Sequence, residues 1–224
     1  MKPPAPRRVP RLRPGPAGGV RDSRRKARTE ALCAAALALF LEHGIEAVTI
    51  DQITRRAGVA KGSFYRSFED KSRLVEALFE PVAQGAREAF SSAASGLSEA
   101  RSPEGLAAVY RALAARLGGL VLAEPGVVRL YLQECRAPAV GARAPVGVLA
   151  REFQGSAVAL TEAAQRHGLL RLVDPRVSAA AVIGAVEHLL VRFLQGEDVG
   201  PPEEVPGALI ALVLDGLRAG GPTA

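Results

Sequence analysis

The chain has 224 residues, 48% of them hydrophobic and only 4% aromatic, which is typical of an Ala- and Leu-rich helical protein with one large or two modest cores. Its two cysteines, Cys33 and Cys135, form no CxxC pair and no Cys/His cluster, so the sequence argues against a disulfide framework and a structural zinc site. The net charge of +6 is unevenly distributed, because residues 1–28 hold ten Lys or Arg and one Asp. This distribution favours a polyanionic partner, although a basic tail that only improves solubility has the same composition.

The composition of residues 1–20 predicts a disordered basic arm, because this segment holds six prolines, three glycines and five Lys or Arg and has few apolar side chains to bury. Such an arm can follow a phosphate backbone or enter a minor groove, and an inert extension is an equally open interpretation. No apolar segment follows the basic residues of this arm, because prolines interrupt it throughout, so a signal peptide is not predicted. No uncharged stretch approaches the roughly 18 to 20 residues that span a bilayer, so we expect no membrane partner. The low cysteine content favours a reducing cytoplasm.

The first predicted helix runs from about Ser23 to His43 and ends at Gly44. Its apolar residues recur at the spacing of one helical face: Leu32, Ala35, Ala36, Leu39 and Phe40. We expect this helix to support the two shorter helices that follow it.

A helix-turn-helix is predicted next. Thr49 and Gln52 have the spacing of a capping box, so a helix can begin at Ile50. Gly58 can adopt the left-handed conformation that ends this helix and turns the chain into a second helix, which begins near Lys61.

The second helix of this motif has one apolar and one polar face. Phe64 and Phe68 are four residues apart, which places both rings on the side of the core. The remaining positions carry charges and hydroxyls that suit phosphates and base edges: Lys61, Ser63, Tyr65, Arg66 and Ser67. The motif therefore predicts a DNA-binding surface.

Residues from about Arg24 to Leu78 resemble the DNA-binding domain of the TetR (tetracycline repressor-like) family of transcriptional regulators. The matching positions are Leu32, Ala35, Ala36, Leu39, Phe40, Gly44, Thr49, Ile53, Ala57, Gly58, Val59, Gly62, Tyr65, Phe68, Lys71 and Leu74. Two positions depart from the family pattern: Ala60 replaces a common capping Ser, which costs about 1 kcal/mol, and Cys33 replaces a buried aliphatic residue.

The resemblance implies an all-α fold, with an N-terminal three-helix helix-turn-helix DNA-binding domain and a C-terminal helical ligand-binding and dimerisation domain. The expected divisions are a disordered arm, the DNA-binding domain, the regulatory domain and a tail, at residues 1–20, 21–69, 70–219 and 220–224. The resemblance also implies that the second helix of the motif enters the major groove of double-stranded DNA. It places Gly62, Ser63 and Tyr65 near bases or phosphates and assigns Thr49, Arg56 and Lys71 to the phosphate backbone.

The rest of the chain predicts further helices separated by Pro or Gly. Asp70 can cap a fourth helix, in which Pro81 predicts a kink or break. The Ser-, Ala- and Gly-rich segment from Ser91 to Pro103 is expected to be a loop at the domain boundary. Five more helices are predicted at about 103–119, 125–136, 145–167, 175–195 and 203–219.

The last two of these helices are apolar on most of their circumference, which predicts burial on two sides. Small residues in the first of them permit close approach of another helix: Ala180, Ala181, Gly184 and Ala185. The family resemblance implies that both helices form a four-helix bundle with the same pair from a second subunit. Ordinary core burial in a monomer is the alternative.

The middle helices are the expected site of a small-molecule effector, because members of the family commonly bind an inducer among helices four to seven. The candidate lining residues interrupt Ala, Leu and Val stretches and are Tyr110, Tyr131, Gln133, Cys135 and Phe153. For each of them an ordinary core or surface position is the alternative, and composition favours that alternative over a ligand contact. The lack of Trp and of a charged cluster there favours an uncharged, lipophilic effector.

No enzyme motif is evident: there is no Gly-rich phosphate loop or nucleophile elbow, and His43, His167 and His188 are scattered. The sequence therefore predicts neither catalysis nor a cofactor or metal site. We expect a homodimeric, ligand-responsive repressor that binds a palindromic operator. Two alternatives stay open, namely an effector-independent activator or architectural DNA-binding protein, and an enzyme or interaction module that retains the motif.

Overall fold

The computed structural model describes residues 20–201 and 204–217, which form nine α-helices, one short 3-10 helix at Gly141–Arg143 and no strand. The helices are α1 (Val20–His43), α2 (Ile50–Arg56), α3 (Lys61–Ser67), α4 (Lys71–Glu99), α5 (Pro103–Ala123), α6 (Pro125–Glu134), α7 (Ala144–Arg166), α8 (Pro175–Leu194) and α9 (Val205–Leu217). The predicted all-α fold is confirmed. The predicted arm, apart from residue 20, and the predicted tail at 220–224 lie outside the described residues.

The helix-turn-helix has the predicted local geometry. The hydroxyl of Thr49 accepts a hydrogen bond from the backbone N–H of Gln52 at 3.3 Å, and the Gln52 side chain accepts one from the backbone N–H of Thr49 at 2.7 Å. These are the two bonds of a capping box, and they fix the start of α2. Gly44 and Gly58 have φ angles of +80° and +66°, the left-handed conformation that ends α1 and α2.

One hydrophobic core joins the first three helices to the C-terminal helices. Phe40 and Phe64 are fully buried in it, and Phe68 packs beside Phe64 with ring centroids 5.7 Å apart. The same core continues through Leu130 in α6 and Leu149 in α7. The N-terminal domain (α1–α3) therefore lies directly on the C-terminal domain (α4–α9).

The fourth helix is longer than predicted, because the expected loop from Ser91 to Pro103 is helical as far as Glu99. Ala93 and Leu97 have helical spacing and are buried among α5 side chains, which outweighs the low helix propensity of the serines. Pro81 lies inside α4 without ending it, and Asp70 caps the helix as predicted by accepting from the N–H of Arg73 at 2.8 Å.

Helices α4 and α5 approach each other closely at two glycines of α4. A Cβ atom on Gly85 would lie 2.5 Å from Cδ2 of Leu120, and one on Gly96 would lie 3.0 Å from Cγ2 of Val109. Only a residue without a side chain permits this separation at Gly85 unless Leu120 moves. Helix α9 packs on the N-terminal part of α5, near Leu106, and α8 packs on α7 and α6.

Two helices, α5 and α8, are long and apolar enough to cross a bilayer by length and composition alone, with mean hydropathies of 1.5 and 1.7. Only 6% and 11% of these stretches are buried inside the chain. Both helices also contain charged residues, Arg111 and Arg116 in α5 and Glu187 and Arg192 in α8. The expected absence of a membrane partner stays a prediction, and the structure adds that much of this apolar surface is exposed in a single chain.

Candidate nucleic-acid interface

Helix α3 presents four exposed positions along one side, which are Lys61, Gly62, Tyr65 and Arg66. The Tyr65 side chain is 54% exposed, and its ring stands edge-on to Phe64 with centroids 5.4 Å apart. The buried ring of Phe64 thus holds a projecting aromatic hydroxyl beside a guanidinium. This combination can contact both phosphates and base edges.

Ser63 and Ser67 lie on a different side of α3 from the one predicted. Ser63 is buried, with 7% exposure, and its hydroxyl accepts a hydrogen bond from Nη2 of Arg66 at 2.6 Å. Ser67 is half-buried and accepts a hydrogen bond from the hydroxyl of Thr29 in α1 at 3.2 Å. The two serines are four residues apart and therefore share a side of the helix, and α1 contacts it. Ser63 orients Arg66 and Ser67 attaches α3 to α1.

Two basic groups of the expected interface have acidic partners. Lys61 Nζ lies 2.8 Å from a carboxylate oxygen of Asp51, and this hydrogen bond raises the pKa of Lys61. Arg56 Nη1 lies 3.1 Å from the carboxylate of Glu42. All four groups are about half exposed, so a phosphate can compete for either cation. The side chain of Thr49 is exposed, but its hydroxyl is also engaged in the capping box.

Lys71, which the resemblance assigns to the phosphate backbone, has its ammonium engaged within the protein. Nζ donates to the backbone carbonyls of Ile45, Glu46 and Val48 at 2.8, 3.1 and 2.8 Å. An ammonium has three protons, so these acceptors use its full donor capacity, and burial lowers the pKa of Lys71. The loop between α1 and α2 brings these carbonyls together at the start of α4. Lys71 therefore anchors this loop, and a phosphate contact would require breaking those bonds.

We expect Lys71→Ala to lower the free energy of unfolding by about 2 kcal/mol, because three carbonyls lose a charged donor. Urea unfolding followed by circular dichroism measures this change. Arg73→Ala is the matched control, since Arg73 is exposed on the same turn and pairs with Glu76 at 2.6 Å. Wild-type stability together with a reduced salt slope of DNA binding in Lys71→Ala would instead restore the phosphate role.

Three of the five candidate effector residues lie together. Tyr131 and Phe153 have ring centroids 5.5 Å apart, and the Tyr131 hydroxyl donates to Oε1 of Glu187 at 3.1 Å. Cys135 Sγ lies 3.9 Å from the same oxygen, and burial together with Glu187 raises the pKa of this thiol to about 11. Sequence reasoning missed Glu187 as a member of this cluster. The sequence contains a signal for it, because Glu187 is a charged residue that interrupts an apolar helix.

The other two candidates lie elsewhere. Gln133 is exposed and donates through Nε2 to the carbonyl of Phe40 at 3.1 Å. It is two residues from Tyr131, and 200° of helical rotation places it on the opposite side of α6, which faces α1. Tyr110 packs with the separate core beneath α5 and α9, where burial raises its pKa to about 12.

Two surface grooves lie among the C-terminal helices. One, of about 310 Å³, runs between α4 and α5 beside Gly96 and Val109. The other, of about 180 Å³, lies between α5 and α9 beside Leu106 and Leu214. Neither groove is lined by the five residues predicted for an effector.

Residues 32–78 match the family model described as bacterial regulatory proteins, tetR family. Over 55 residues the chain is 40% identical to the transposon Tn10 TetC protein of Escherichia coli. That alignment covers 25% of this chain and 28% of the TetC protein, so it concerns the DNA-binding domain only.

The whole fold is similar to solved structures of low sequence identity. NalD of Pseudomonas aeruginosa, the secondary repressor of the MexAB-OprM multidrug efflux pump, aligns with a TM-score of 0.67 at 22% identity over 90% of this chain and 100% of NalD. A TetR family regulator from Marinobacter aquaeolei has a TM-score of 0.62 at 20% identity over 88% and 99% of the two chains. FadR of Bacillus subtilis, solved in complex with stearoyl-CoA, has a TM-score of 0.60 at 17% identity over 84% and 99%.

These structural neighbours are transcription regulators and not enzymes, in agreement with the sequence prediction. The capping box, the two left-handed glycines, the aromatic packing of α3 and the matching family model lie in the same segment of the chain. The helical arrangement of the described residues is similar to that of the solved regulators. Residues 32–78 therefore carry the DNA-binding domain of the TetR family of bacterial regulatory proteins, and the chain as a whole has the fold of solved TetR-family regulators.

Proposed function

We propose that this chain is a sequence-specific transcriptional regulator that binds double-stranded DNA as a cytoplasmic homodimer. The observation that carries the proposal is the exposed side of α3, where a guanidinium and a phenol project from a helix whose opposite side is fixed in the core. Residues 23–78 hold ten Lys or Arg against seven Asp or Glu, so this end of the chain also attracts a polyanion.

The proposed contacts follow from the positions of the side chains. Gly62, Tyr65 and Arg66 approach the bases in the major groove, with Arg66 oriented by Ser63. Thr49, Arg56 and Lys61 approach phosphates, the two cations by exchanging their carboxylate partners for DNA. Ser67 supports α3 from within through its bond to Thr29.

The proposed dimer interface is formed by α8 and α9. Val177 and Leu212 are large apolar side chains that are 67% and 72% exposed in a single chain. In α8, Ala180 and Ala181 are exposed as well, and a Cβ atom on Gly184 would meet nothing within 4 Å. An apolar helix surface of this kind is stabilised when a second copy covers it. A dimer also places two α3 helices on a palindromic operator.

We further propose that the regulator is a repressor released by an uncharged, lipophilic effector. The NalD neighbour is a repressor and the FadR neighbour was solved with stearoyl-CoA, a ligand with a lipophilic acyl chain and a charged coenzyme A group; this supports a ligand-responsive repressor without assigning a ligand here. The cluster of Tyr131, Cys135, Phe153 and Glu187 between α6, α7 and α8 is the proposed site. A hundredfold loss of operator affinity requires that the effector prefer the non-binding form by about 2.7 kcal/mol.

Selection of bound sequences from a random DNA pool by the full chain tests the proposal. We expect a palindromic consensus, a footprint of two half-sites about one helical turn apart, and much weaker binding to scrambled DNA. Lipophilic compounds are then titrated against the preformed complex, and release of DNA identifies the effector class. Equal binding to all sequences would contradict the specific regulator and support the architectural alternative.

A further inference from the structure

We infer that four side chains at the junction of the two domains, Glu46, Lys71, Glu134 and Arg143, position the DNA-binding domain so that α6 and α7 set the pose of α3 together with α4. We call these four residues the junction clasp. The inference rests on the proposed function, because a fixed pose of α3 matters only to a protein that places two such helices on DNA.

The first part of the clasp is a carboxylate of the C-terminal domain that holds the N-terminal domain. Glu134, at the end of α6, is buried with 4% exposure. Its Oε1 atom accepts a hydrogen bond from the backbone N–H of Ile45 at 3.1 Å, and its Oε2 atom accepts one from Nε of Arg143. A buried carboxylate with a fixed cation and a backbone donor is a directional contact that is costly to break.

The second part runs in the opposite direction. Glu46, in the loop between α1 and α2, accepts a hydrogen bond from the backbone N–H of Arg143 at 2.9 Å, immediately before α7 begins. Both of its carboxylate oxygens would lie 3.0 Å from a Cβ atom on Gly141, whose φ angle is +56°. The absence of a side chain at Gly141 therefore leaves room for this carboxylate. Each domain thus supplies one carboxylate that binds a backbone N–H of the other.

Lys71 completes the clasp by holding the carbonyl groups of the same loop. The loop is bound at the N–H of Ile45 by Glu134 and at the carbonyls of Ile45, Glu46 and Val48 by Lys71. It cannot shift relative to α4 and α6 without losing several charge-assisted bonds. The covalent link between the domains is the turn before α4, next to which Lys71 lies. The Glu134 and Glu46 bonds lie away from this turn and oppose rocking about it.

Helix α6 also connects the clasp to the proposed dimer helix. Tyr131 and Cys135, one turn before and one residue after Glu134, contact Glu187 of α8. Arg136 pairs with the second oxygen of the same carboxylate at 3.2 Å. A displacement of α6 along this route would act on the loop and thereby on the direction of α3.

The test compares Glu46→Gln, Glu134→Gln and the double variant with the wild type on operators found by selection. Glu162→Gln is the matched control, because Glu162 is exposed on α7. Each protein binds the full palindrome, a single half-site, and palindromes whose spacer is one base pair longer or shorter. For the double variant we expect about tenfold weaker binding to the full palindrome, because both carboxylate acceptors of the clasp are replaced by neutral amides. Binding to the half-site should be unchanged. The penalty for a changed spacer should shrink, because a loosely held domain adapts to it.

Hydrogen exchange of the free protein provides a second readout that needs no DNA. We expect faster exchange at the Ile45 and Arg143 amides in the double variant, with unchanged exchange in α2 and α3. Full-palindrome binding and a spacer penalty equal to those of the wild type would overturn the clasp. Equal losses on half-site and palindrome together with faster exchange throughout α1–α3 would also overturn it, because the residues would then serve folding alone. If the wild type selects no sequence, the proposed function fails, and the exchange pattern alone decides whether the clasp holds the loop.

Discussion

Replacing Leu212 or Gly184 by Asp is expected to yield a monomer of 23.4 kDa in solution, where the wild type has about twice this mass. In a single chain neither change disturbs packing, because Leu212 is 72% exposed and a side chain at Gly184 meets no atom within 4 Å. In the proposed dimer each change places a carboxylate in an apolar interface, at a cost of several kcal/mol. Sedimentation or light scattering measures the mass, and circular dichroism checks that the helices persist.

The monomers should bind the selected operator at least about a hundredfold more weakly than the dimer, since one half-site then binds without the help of the other. Leu122→Asp is the matched control, because Leu122 is 75% exposed but lies on α5. It should leave the mass and the operator affinity unchanged. A dimer that survives Leu212→Asp but dissociates with Leu122→Asp would place the interface on α5 instead.

Arg66→Ala is expected to weaken operator binding by about 1–3 kcal/mol per half-site and to relax the preference at the base pair it contacts. Arg66 is exposed and its guanidinium is held 2.6 Å from the Ser63 hydroxyl, so its loss removes an oriented donor group from the major groove. Binding titrations against the consensus and its single-base variants measure both effects.

Ser63→Ala separates orientation from contact, because it leaves Arg66 in place and removes only its acceptor. It should reduce discrimination among operators with a smaller loss of affinity than Arg66→Ala. Arg73→Ala, on an exposed position of α4, should change neither. If Arg66→Ala weakens every DNA sequence alike, Arg66 contacts a phosphate and the readout must be assigned to Tyr65 or Gly62.

The features that sequence predicted correctly depend on neighbouring residues. The capping box of Thr49 and Gln52 and the left-handed turn at Gly58 are local chemistry, and both have the expected geometry. The bounds of the C-terminal helices follow from Pro and Gly punctuation and agree within a few residues. The prediction of a loop after Ser91 was wrong. It relied on the serines of this segment, whereas the segment is helical because Leu97 and its neighbours pack against α5.

The features that sequence did not predict depend on residues far apart in the chain. Ile45 and Glu134 are 89 residues apart, and nothing near either one indicates that a buried carboxylate meets a backbone N–H. Lys71 looks like a phosphate ligand until the fold brings three carbonyls to it. Ser63 is polar and lies in a DNA-binding motif, but it is buried because α1 packs against its side of α3.

The absence of a Cβ atom at Gly85 permits the short distance between α4 and α5 at Leu120. A larger residue at position 85 must displace the Leu120 side chain, since a methyl carbon would lie only 2.5 Å from its Cδ2 atom, and α5 moves away from α4 where that side chain does not rotate aside. Helix α9 rests on α5 and would be carried outward by the same movement. In the proposed dimer the distance between α4 and α5 contributes to the span between the two α3 helices. The operator spacing of this regulator would then be encoded in part by a position that touches neither DNA nor the second subunit.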